Sequence, residues 1–308
     1  MQFLITLGDP EGISPEILCK FLKNFDFSNT PILVGRFKYL KDYIEDIRYK
    51  ITKDVDDIKN GVLNIIEPEE ESDNSGKESY LFLEKAVEIL KITKIKHILT
   101  LPVSKSKILD AGYKFIGHTE FFKENFNVKE VVMMFVSKPL VVAVYSTHIP
   151  LRKIVDMLDR ERIKRKIKLS VEATSKLKKI DKFDVRVGVC GLNPHAGEDG
   201  KIGIEEKDII IPSIEELRGE GYNIEGPFSS DVVFLKALSN KYDVVFSWYH
   251  DQGLIPVKII SSYRSVNLTW GLPFVRTSPL HGPAFDIKKR QKATDTSLRE
   301  AYRVLISL

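Results

Sequence analysis

Three histidines each follow a predicted strand at the point where the strand ends, and imidazoles at such positions can bind a metal ion. They are His148 in Ser-Thr-His-Ile-Pro, His195 in Asn-Pro-His-Ala-Gly-Glu and His250 in Tyr-His-Asp-Gln-Gly. In open α/β sheets, ligands bind outside the carboxyl ends of the strands, so these imidazoles can converge on one point. Three histidines with an open fourth position suit zinc and other borderline divalent ions. The pattern predicts a catalytic metal site, with single loop or core histidines as the alternative.

Anion-binding side chains lie outside these three segments. Lys105, Lys258 and Arg276 could each clamp a phosphate or carboxylate group, although a single surface cation is usually only solvated. The chain has neither a Walker A motif nor a GxGxxG sequence after its first predicted strand, and the glycine-rich segment 197–203 has the wrong spacing. A dinucleotide would therefore be held in another way than in the usual Rossmann fold.

Asp231, in Ser-Ser-Asp, is a candidate for orienting a metal ligand or for accepting a proton. Aspartate is also a favoured N-cap residue, and a helix cap is an equally good interpretation of this position. The sequence does not choose between these roles.

Short β-rich runs alternate with amphipathic stretches, which predicts an α/β fold with a parallel or mixed sheet flanked by helices. The predicted strands cover residues 3–7, 31–34, 62–66, 98–100, 131–136, 140–146, 185–189, 244–248 and 257–260. The first predicted helix opens at Ser14, where a proline follows a capping residue. The other predicted helices cover residues 37–46, 76–92, 154–177, 207–218 and 297–306.

The bulk composition excludes several classes of protein. The 308 residues carry a net charge of +4, with 47 basic and 43 acidic side chains spread along the chain, whereas nucleic-acid-binding proteins more often concentrate their basic residues. The apolar runs are shorter than a membrane span, and two cysteines form no disulfide framework. Residues 1–7 lack the features of a signal peptide. We therefore expect a cytoplasmic protein that binds neither nucleic acid nor membrane.

Several segments resemble the 4-hydroxythreonine-4-phosphate dehydrogenase family, the dehydrogenases of pyridoxal phosphate biosynthesis. The matching segments are residues 8–16, 117–120, 147–151, 191–198, 249–258, 271–278 and 281–286. The segments that contain His195 and His250 are long and specific. The resemblance extends over nearly the whole chain.

The resemblance implies a two-lobed fold of the isocitrate and isopropylmalate dehydrogenase type, with a mixed sheet flanked by helices. Residues 1–115 and 270–308 would form a cofactor-side lobe, and residues 116–269 a central lobe with the metal ligands and the dimer interface. The family is homodimeric, with its active site at the subunit interface. One divalent metal ion (zinc, magnesium or cobalt) per site would bind His148, His195 and His250, one of which comes from the partner subunit.

The resemblance also assigns roles to other residues by position. Substrate contacts fall on His118, Thr119, Lys258, Asn267 and Arg276. Cofactor contacts fall on Gly191, Asn193, His281, Gly282, Ala284 and Asp286. Our catalytic candidates are Asp231 and Lys258. Pro283 and residues 288–289 depart from the family pattern in the cofactor loop, so the choice between NAD and NADP stays open.

The implied reaction is oxidation of a small phosphorylated substrate, 4-phosphooxy-L-threonine, by NAD or NADP. The resulting β-keto acid would lose CO₂ to give 3-amino-2-oxopropyl phosphate, in pyridoxal 5'-phosphate (vitamin B6) biosynthesis. A related dehydrogenase of phosphothreonate or phosphoerythronate would use the same metal site. More distant alternatives are a metal-dependent hydrolase or acyltransferase on a similar scaffold, and a non-catalytic ligand-binding protein.

Overall fold

The computed structural model describes residues 1–288 and 292–308, along which strands and helices alternate. The strands are β1 (Gln2–Thr6), β2 (Thr30–Val34), β3 (Tyr49–Thr52), β4 (Leu63–Ile66), β5 (His97–Thr100), β6 (Val132–Val136), β7 (Val141–Val144), β8 (Val187–Cys190), β9 (Ile224–Phe228), β10 (Val244–Ser247), β11 (Val266–Trp270) and β12 (Val275–Pro279). The helices are α1 (Ser14–Lys23), α2 (Ser75–Ile92), α3 (Lys105–Asp110), α4 (His118–Asn125), α5 (Arg160–Lys178), α6 (Ile211–Gly219), α7 (Ser230–Leu238), α8 (His250–Ser261) and α9 (Thr296–Ile306). This alternation confirms the predicted α/β class. None of the helices in the described ranges is long and apolar enough to cross a membrane.

The chain divides into two compact units. The first comprises Met1–Asn127 and Leu272–Ile306, and the second comprises Val128–Gly271 and Ser307–Leu308. The chain passes from the first unit to the second after Asn127, whereas we expected this boundary after residue 115. It returns to the first unit after Gly271, and we expected this boundary after residue 269.

The later boundary places α4 in the first unit. Phe121 contacts the rings of Tyr80 and Phe115, and Phe122 contacts the ring of Phe274. Both phenylalanines are buried. Because all these partners belong to the first unit, the apolar side of α4 packs there rather than in the lobe where we expected it.

The strands of the first unit pair in parallel, in the order β3-β4-β2-β1-β5-β12. Parallel sheets are covered on both faces, so their strands are continuous apolar runs rather than alternating ones. Residues 3–5, 32–34 and 63–66 are accordingly fully buried. Helix α2 packs against β1 and β2, and α9 packs against β5 and β12.

The strands of the second unit follow the order β11-β6-β7-β10-β8-β9 and form a mixed arrangement. Strand β6 is antiparallel to both β11 and β7, whereas β7, β10, β8 and β9 are parallel neighbours. Val245 of β10 pairs with Val142 of β7 on one side and with Gly188 of β8 on the other. The carboxyl ends of these four parallel strands therefore lie at one edge.

The strand predicted at residues 257–260 is wrong, because these residues lie in α8. Their β-branched side chains and the preceding Pro256 disfavour a helix interior. The helix forms nonetheless because it buries Gly253 and Val257, which are four residues apart and share one side. A Cβ added to Gly253 would lie 2.6 Å from Ser247 Oγ, so the helix backbone packs directly on β10. Tertiary packing here overrides local propensity.

The helix predicted at residues 37–46 is also wrong, since only Phe37–Tyr39 forms a 3-10 turn and further turns follow. Leu40 and Ile44 are buried at helical spacing, which explains the prediction. Asp46 has a φ of 68°, which lies outside the right-handed region and ends the segment. The other predicted strands and helices each overlap an observed element.

Candidate functional site

The three candidate metal ligands follow three neighbouring parallel strands of the second unit. His148 follows β7, His250 begins α8 after β10, and His195 follows β8. The ring centroids of His148 and His250 lie 5.9 Å apart. The ring of Phe135 contacts His250 edge-on at 5.8 Å, and His250 Nδ1 lies 2.7 Å from Asp251 Oδ1. The strand arrangement on which the metal prediction depends is therefore present.

His195 lies in a loop with left-handed backbone. From His195 to Asp199, five consecutive residues have φ values of 52°, 53°, 81°, 43° and 56°. Only Gly197 adopts this conformation easily, because left-handed backbone costs other residues about 1–2 kcal/mol each. Such a run persists only where the surrounding structure holds it.

A single chain brings two of the three imidazoles together. Within residues 1–288 and 292–308, no three His, Cys, Asp or Glu side chains are grouped as a metal site. The adjacent rings of His148 and His250 nevertheless supply two nitrogen donors, which suit a borderline divalent ion. The donor pair fits the implied metal, and a three-histidine site would need a further ligand besides these two.

Asp231 lies in the first turn of α7, whose N-cap is Ser229. Ser229 Oγ donates a hydrogen bond of 2.5 Å to Asp231 Oδ1, and this bond lowers the pKa of the carboxyl group. The positive form of His195 is close enough to lower it further. A carboxyl group with a lowered pKa is a weak proton acceptor, so the surroundings of Asp231 disfavour the role of a general base.

Gln252 links the strand ends, and our sequence interpretation missed it. Its Nε2 donates to Gly191 O and to Ser230 Oγ, both at 2.8 Å, while its Oε1 accepts from Trp248 N at 2.7 Å. Trp248 Nε1 in turn donates to Cys190 O at 2.6 Å. The amide therefore joins the segments that follow β8, β9 and β10. The only available signal was its place two residues after His250 in a motif that matches the family.

Two predicted cofactor contacts have structural roles inside the His195 loop. A Cβ on Gly191 would lie 2.8 Å from Ala196 Cα, so glycine allows the loop to fold back at this point. Asn193 Nδ2 donates to Glu205 Oε2 and to Glu206 Oε2, both at 2.8 Å. Both amide protons of Asn193 are thus used within the chain, and a cofactor contact would have to use its Oδ1.

The first unit contains a positively charged cluster around His118, which begins α4. Burial, and then the charges of Arg276 and Lys105, hold the pKa of His118 well below its usual range. Its buried Nε2 has no hydrogen-bond partner among the described residues. His118 is therefore a neutral imidazole at pH 7, with an unsatisfied polar atom beside two cations.

Arg276 lies on β12 and is 2% exposed. Its Nε donates to Thr100 Oγ1 at 3.0 Å, and its Nη2 donates to Thr100 Oγ1 at 2.7 Å and to Ser278 Oγ at 3.0 Å. Burial lowers the pKa of Arg276, and Glu120 opposes this change, but the guanidinium stays protonated at pH 7. A buried guanidinium among hydroxyl groups favours a carboxylate or phosphate ligand. Thr119, another predicted substrate contact, is also buried.

Asn267 and Lys258, the substrate candidates of the second unit, occupy different surroundings. Asn267 on β11 pairs with Phe135 on antiparallel β6, so the two side chains share a face, and Phe135 contacts His250. Asn267 Oδ1 is buried and has no hydrogen-bond partner among the described residues. Lys258 is exposed and lies about 12 Å along α8 from His250. One chain thus brings Asn267, but not Lys258, towards its own imidazole pair.

The predicted cofactor loop packs on the opening motif of the chain, within the first unit. Ile13 N donates to Pro283 O at 2.9 Å. A Cβ on Gly12 would lie 2.7 Å from Pro283 O, so only glycine permits this approach. Of the two lysines at residues 288–289 that also depart from the family pattern, Lys289 lies outside the described residues.

The four cofactor candidates of this loop differ in exposure. His281 Nε2 lies 2.7 Å from Ser297 Oγ, and its Nδ1 lies 2.9 Å from Gly282 O. Ala284 has a φ of 48°, while Gly282 and Asp286 are exposed. Two contacts therefore hold the imidazole in place, and the exposed residues are accessible to a ligand.

Known proteins resemble this chain over almost its whole length. The family model "Pyridoxal phosphate biosynthetic protein PdxA" matches residues 28–305. The 4-hydroxythreonine-4-phosphate dehydrogenase of Aquifex aeolicus is 39% identical over 316 residues, covering 99% of this chain and 97% of the relative. The D-threonate 4-phosphate dehydrogenase of Pectobacterium atrosepticum is 36% identical over 322 residues, covering 99% and 98%. These relatives are dehydrogenases, which decides against a hydrolase, an acyltransferase or a binding protein.

Solved structures share the fold. The 4-hydroxythreonine-4-phosphate dehydrogenase of Klebsiella pneumoniae is similar with a TM-score of 0.83 at 30% identity, covering 99% of this chain and 97% of that chain. Isocitrate dehydrogenase from Methylococcus capsulatus is similar with a TM-score of 0.53 at 12% identity, covering 99% and 84%. At that identity the second likeness concerns the fold alone, and it confirms the fold type implied by the sequence.

Proposed function

We propose that this chain, which belongs to the PdxA family of dehydrogenases, oxidises 4-phosphooxy-L-threonine in a metal-dependent reaction with NAD or NADP. The product would be a β-keto acid that decarboxylates to 3-amino-2-oxopropyl phosphate, for pyridoxal 5'-phosphate synthesis. The observation that carries the proposal is the imidazole pair of His148 and His250, 5.9 Å apart at the ends of neighbouring parallel strands. Asn267 Oδ1, a buried acceptor near this pair, supports it.

The residues of this chain would bind and orient the reactants. A bound divalent ion supplies Lewis acidity at the substrate hydroxyl, and a bound nicotinamide supplies the hydride acceptor. His148, His195 and His250 would hold the ion, with Asp231 orienting His195. Asn267 would accept a hydrogen bond from a polar group of the substrate.

The positively charged cluster of the first unit would bind an anionic group of the substrate. Arg276 and Lys105 supply the charge, and Thr119 lies buried beside His118. Because the pKa of His118 is strongly lowered, its neutral ring would contribute a hydrogen bond rather than a charge. Such groups raise the reaction rate when they hold the reacting atoms of the substrate in alignment. The loop with His281, Gly282, Ala284 and Asp286 would bind the nucleotide.

We further propose that the enzyme is a homodimer in which a second copy supplies the third metal ligand. Helix α8 and the turn after it carry Ile255, Ile259 and Tyr263, which are 57%, 79% and 71% exposed. Contiguous exposed apolar side chains of this kind mark interaction surfaces. Lys258 lies on the same exposed segment, so dimerisation would bring it to the site of the partner subunit.

Assays of nicotinamide reduction test the reaction. Purified protein is treated with a chelator and assayed by ultraviolet absorbance with 4-phosphooxy-L-threonine and each cofactor, before and after addition of zinc, magnesium or cobalt. We expect turnover only after metal is restored. Turnover that is equally fast in the chelated protein and in a His148→Ala variant would contradict the metal site.

Mixed dimers test the sharing of ligands. We expect His148→Ala and His195→Ala proteins to be inactive alone but to recover about a quarter of wild-type activity after subunit exchange, because half of the dimers then hold one complete site. In the matched control, the His148→Ala protein is mixed with the His250→Ala protein. One chain contributes both of these residues to a site, so the two variants should not complement each other. Complementation of the control pair alone would show that these two ligands come from different subunits.

A second candidate substrate is 4-phosphothreonate, because a relative of similar identity is a D-threonate 4-phosphate dehydrogenase. Both substrates carry a phosphate, a carboxylate and the reacting hydroxyl. 4-Phosphooxy-L-threonine has an amine at the carbon where 4-phosphothreonate has a second hydroxyl. The ratio of kcat/KM for the two compounds in the same assay decides between them, and phosphoerythronate serves as the third substrate to be compared.

A further inference from the structure

The loop that carries His195 depends on contacts from outside itself. Its left-handed run extends from His195 to Asp199, and four of these five residues are not glycine. Local conformational preference therefore opposes the observed backbone. Something fixed must hold this loop if His195 is to keep one position.

Glu206 is the side chain that holds it. The residue is 2% exposed, and its Oε1 accepts hydrogen bonds from Leu192 N at 2.8 Å and from Asn193 N at 2.7 Å. Its Oε2 accepts from Asn193 Nδ2 at 2.8 Å. One buried carboxylate thus binds three donors on the two residues that lead into the turn before His195.

The chain after His195 also closes on this carboxylate. A Cβ on Gly197 would lie 2.8 Å from Glu206 Oε2, and a Cβ on Gly203 would lie 2.4 Å from Asn193 Nδ2. Gly197 and Gly203 have φ values of 81° and 149°, in the region that favours glycine. The loop therefore packs closely around Glu206 and Asn193, and Gly197 and Gly203 supply the backbone angles that this path requires.

We propose that Glu206 is a positioning residue for His195: its carboxylate fixes the left-handed loop and thereby presents the imidazole for metal binding. The inference rests on the metal role proposed above for His195. Groups behind a metal ligand set its orientation, and their loss typically weakens metal binding about 10- to 100-fold. Glu206 acts through backbone N–H groups, so its effect should be confined to this one ligand.

Glu205 is a matched control. It is the same residue type one position earlier, and its Oε2 also accepts from Asn193 Nδ2 at 2.8 Å. The backbone hydrogen bonds from Leu192 and Asn193 described here go to Glu206 and not to Glu205. Glu205→Ala therefore removes a carboxylate and one side-chain contact while leaving the backbone support in place.

The experiment compares the full-length wild-type protein with Glu206→Ala, Glu206→Gln and Glu205→Ala. Hydrogen exchange of residues 191–204 reports the loop, and titration of the chelated protein with Co²⁺ alone, followed by visible absorbance, reports the ligand set. We expect Glu206→Ala to speed exchange about tenfold and to raise the Co²⁺ dissociation constant about 10- to 100-fold. Glu206→Gln keeps an acceptor for both backbone N–H groups and should recover most of the affinity. Glu205→Ala should stay within about twofold of wild type for both readouts.

The outcomes separate the two proposals. Exchange and Co²⁺ affinity that are the same in Glu206→Ala and Glu205→Ala would overturn the positioning role, as would faster exchange with unchanged affinity. If Glu206→Ala does not fold, Glu206→Asp replaces it with the same two readouts and the same expected direction, because its shorter side chain withdraws the carboxylate from Leu192 N and Asn193 N. A His195→Ala protein that binds Co²⁺ as tightly as wild type would refute the metal role of His195 itself. In that case the positioning role fails with it, and exchange alone shows whether Glu206 holds the loop.

Discussion

Replacement of Arg276 by Met tests whether the buried guanidinium binds the anionic end of the substrate. The side chain is 2% exposed and donates two hydrogen bonds to Thr100 Oγ1 and one to Ser278 Oγ. Met is unbranched and adaptable, so it fills much of the space, and the two hydroxyl groups can rotate towards other partners. We expect the fold to persist, with a loss of about 1–3 kcal/mol in the free energy of unfolding.

The expected loss of substrate binding is of similar size in free energy, and it is measured as a large change in KM. A hydrogen bond to a charged group contributes about 1.5–3 kcal/mol, and each 1.4 kcal/mol is a factor of ten in affinity. The KM of Arg276→Met for the phosphorylated substrate should therefore rise about 10- to 150-fold. The KM for the nicotinamide cofactor should change much less, because the predicted cofactor loop is a separate segment.

Steady-state kinetics with both substrates measure this effect, and Arg303→Met is the control because Arg303 pairs with Glu300 on the surface of α9. A second readout is the pKa of His118, which burial and the charge of Arg276 both lower. Loss of that charge should raise the pKa of His118, as seen by NMR of the imidazole. A KM within twofold of wild type, combined with the raised pKa, would refute the reasoning, since the charge would be gone without consequence for the substrate.

Three further predictions concern His118, Asp243 and Gly12. Burial lowers the pKa of His118, so below about pH 6.5 the unfolded state gains a proton that the native state does not. The free energy of unfolding, measured by urea denaturation, should therefore fall as the pH drops below this value, and His118→Gln should make it depend less on pH. Burial alone would raise the pKa of Asp243, but hydrogen bonds from Arg186 and a nearby lysine lower it, so its stabilisation is present above about pH 4 and is lost in acid. Asp243→Asn should cost about 1–3 kcal/mol at pH 7 by urea denaturation, and a change below about 0.5 kcal/mol would contradict this. Gly12→Ala puts a Cβ 2.7 Å from Pro283 O. Such overpacking costs about 1–3 kcal/mol and should raise the KM for the nicotinamide cofactor at least about fivefold, whereas an unchanged KM would remove this loop from the cofactor site.

Local sequence patterns were sufficient to predict most of the strands and helices. The apolar runs of the buried parallel strands and the helical spacing of buried residues arise from each element's own surroundings, so they can be read without knowing its neighbours. The position of His148, His195 and His250 directly after strands is also a local property. The failure at residues 257–260 occurred where packing overrode propensity, whereas residues 37–46 form turns that end at the left-handed backbone of Asp46.

The sequence by itself therefore determined the α/β class, the strand ends that carry histidines and, through its motifs, the family. Only the tertiary structure decided which strands are neighbours, and with them that His148 and His250 lie side by side. It also decided that His118 is neutral and that Glu206 holds the loop of His195. These properties depend on the distances between residues far apart in the chain and on their removal from water. No local pattern of residue types encodes either quantity.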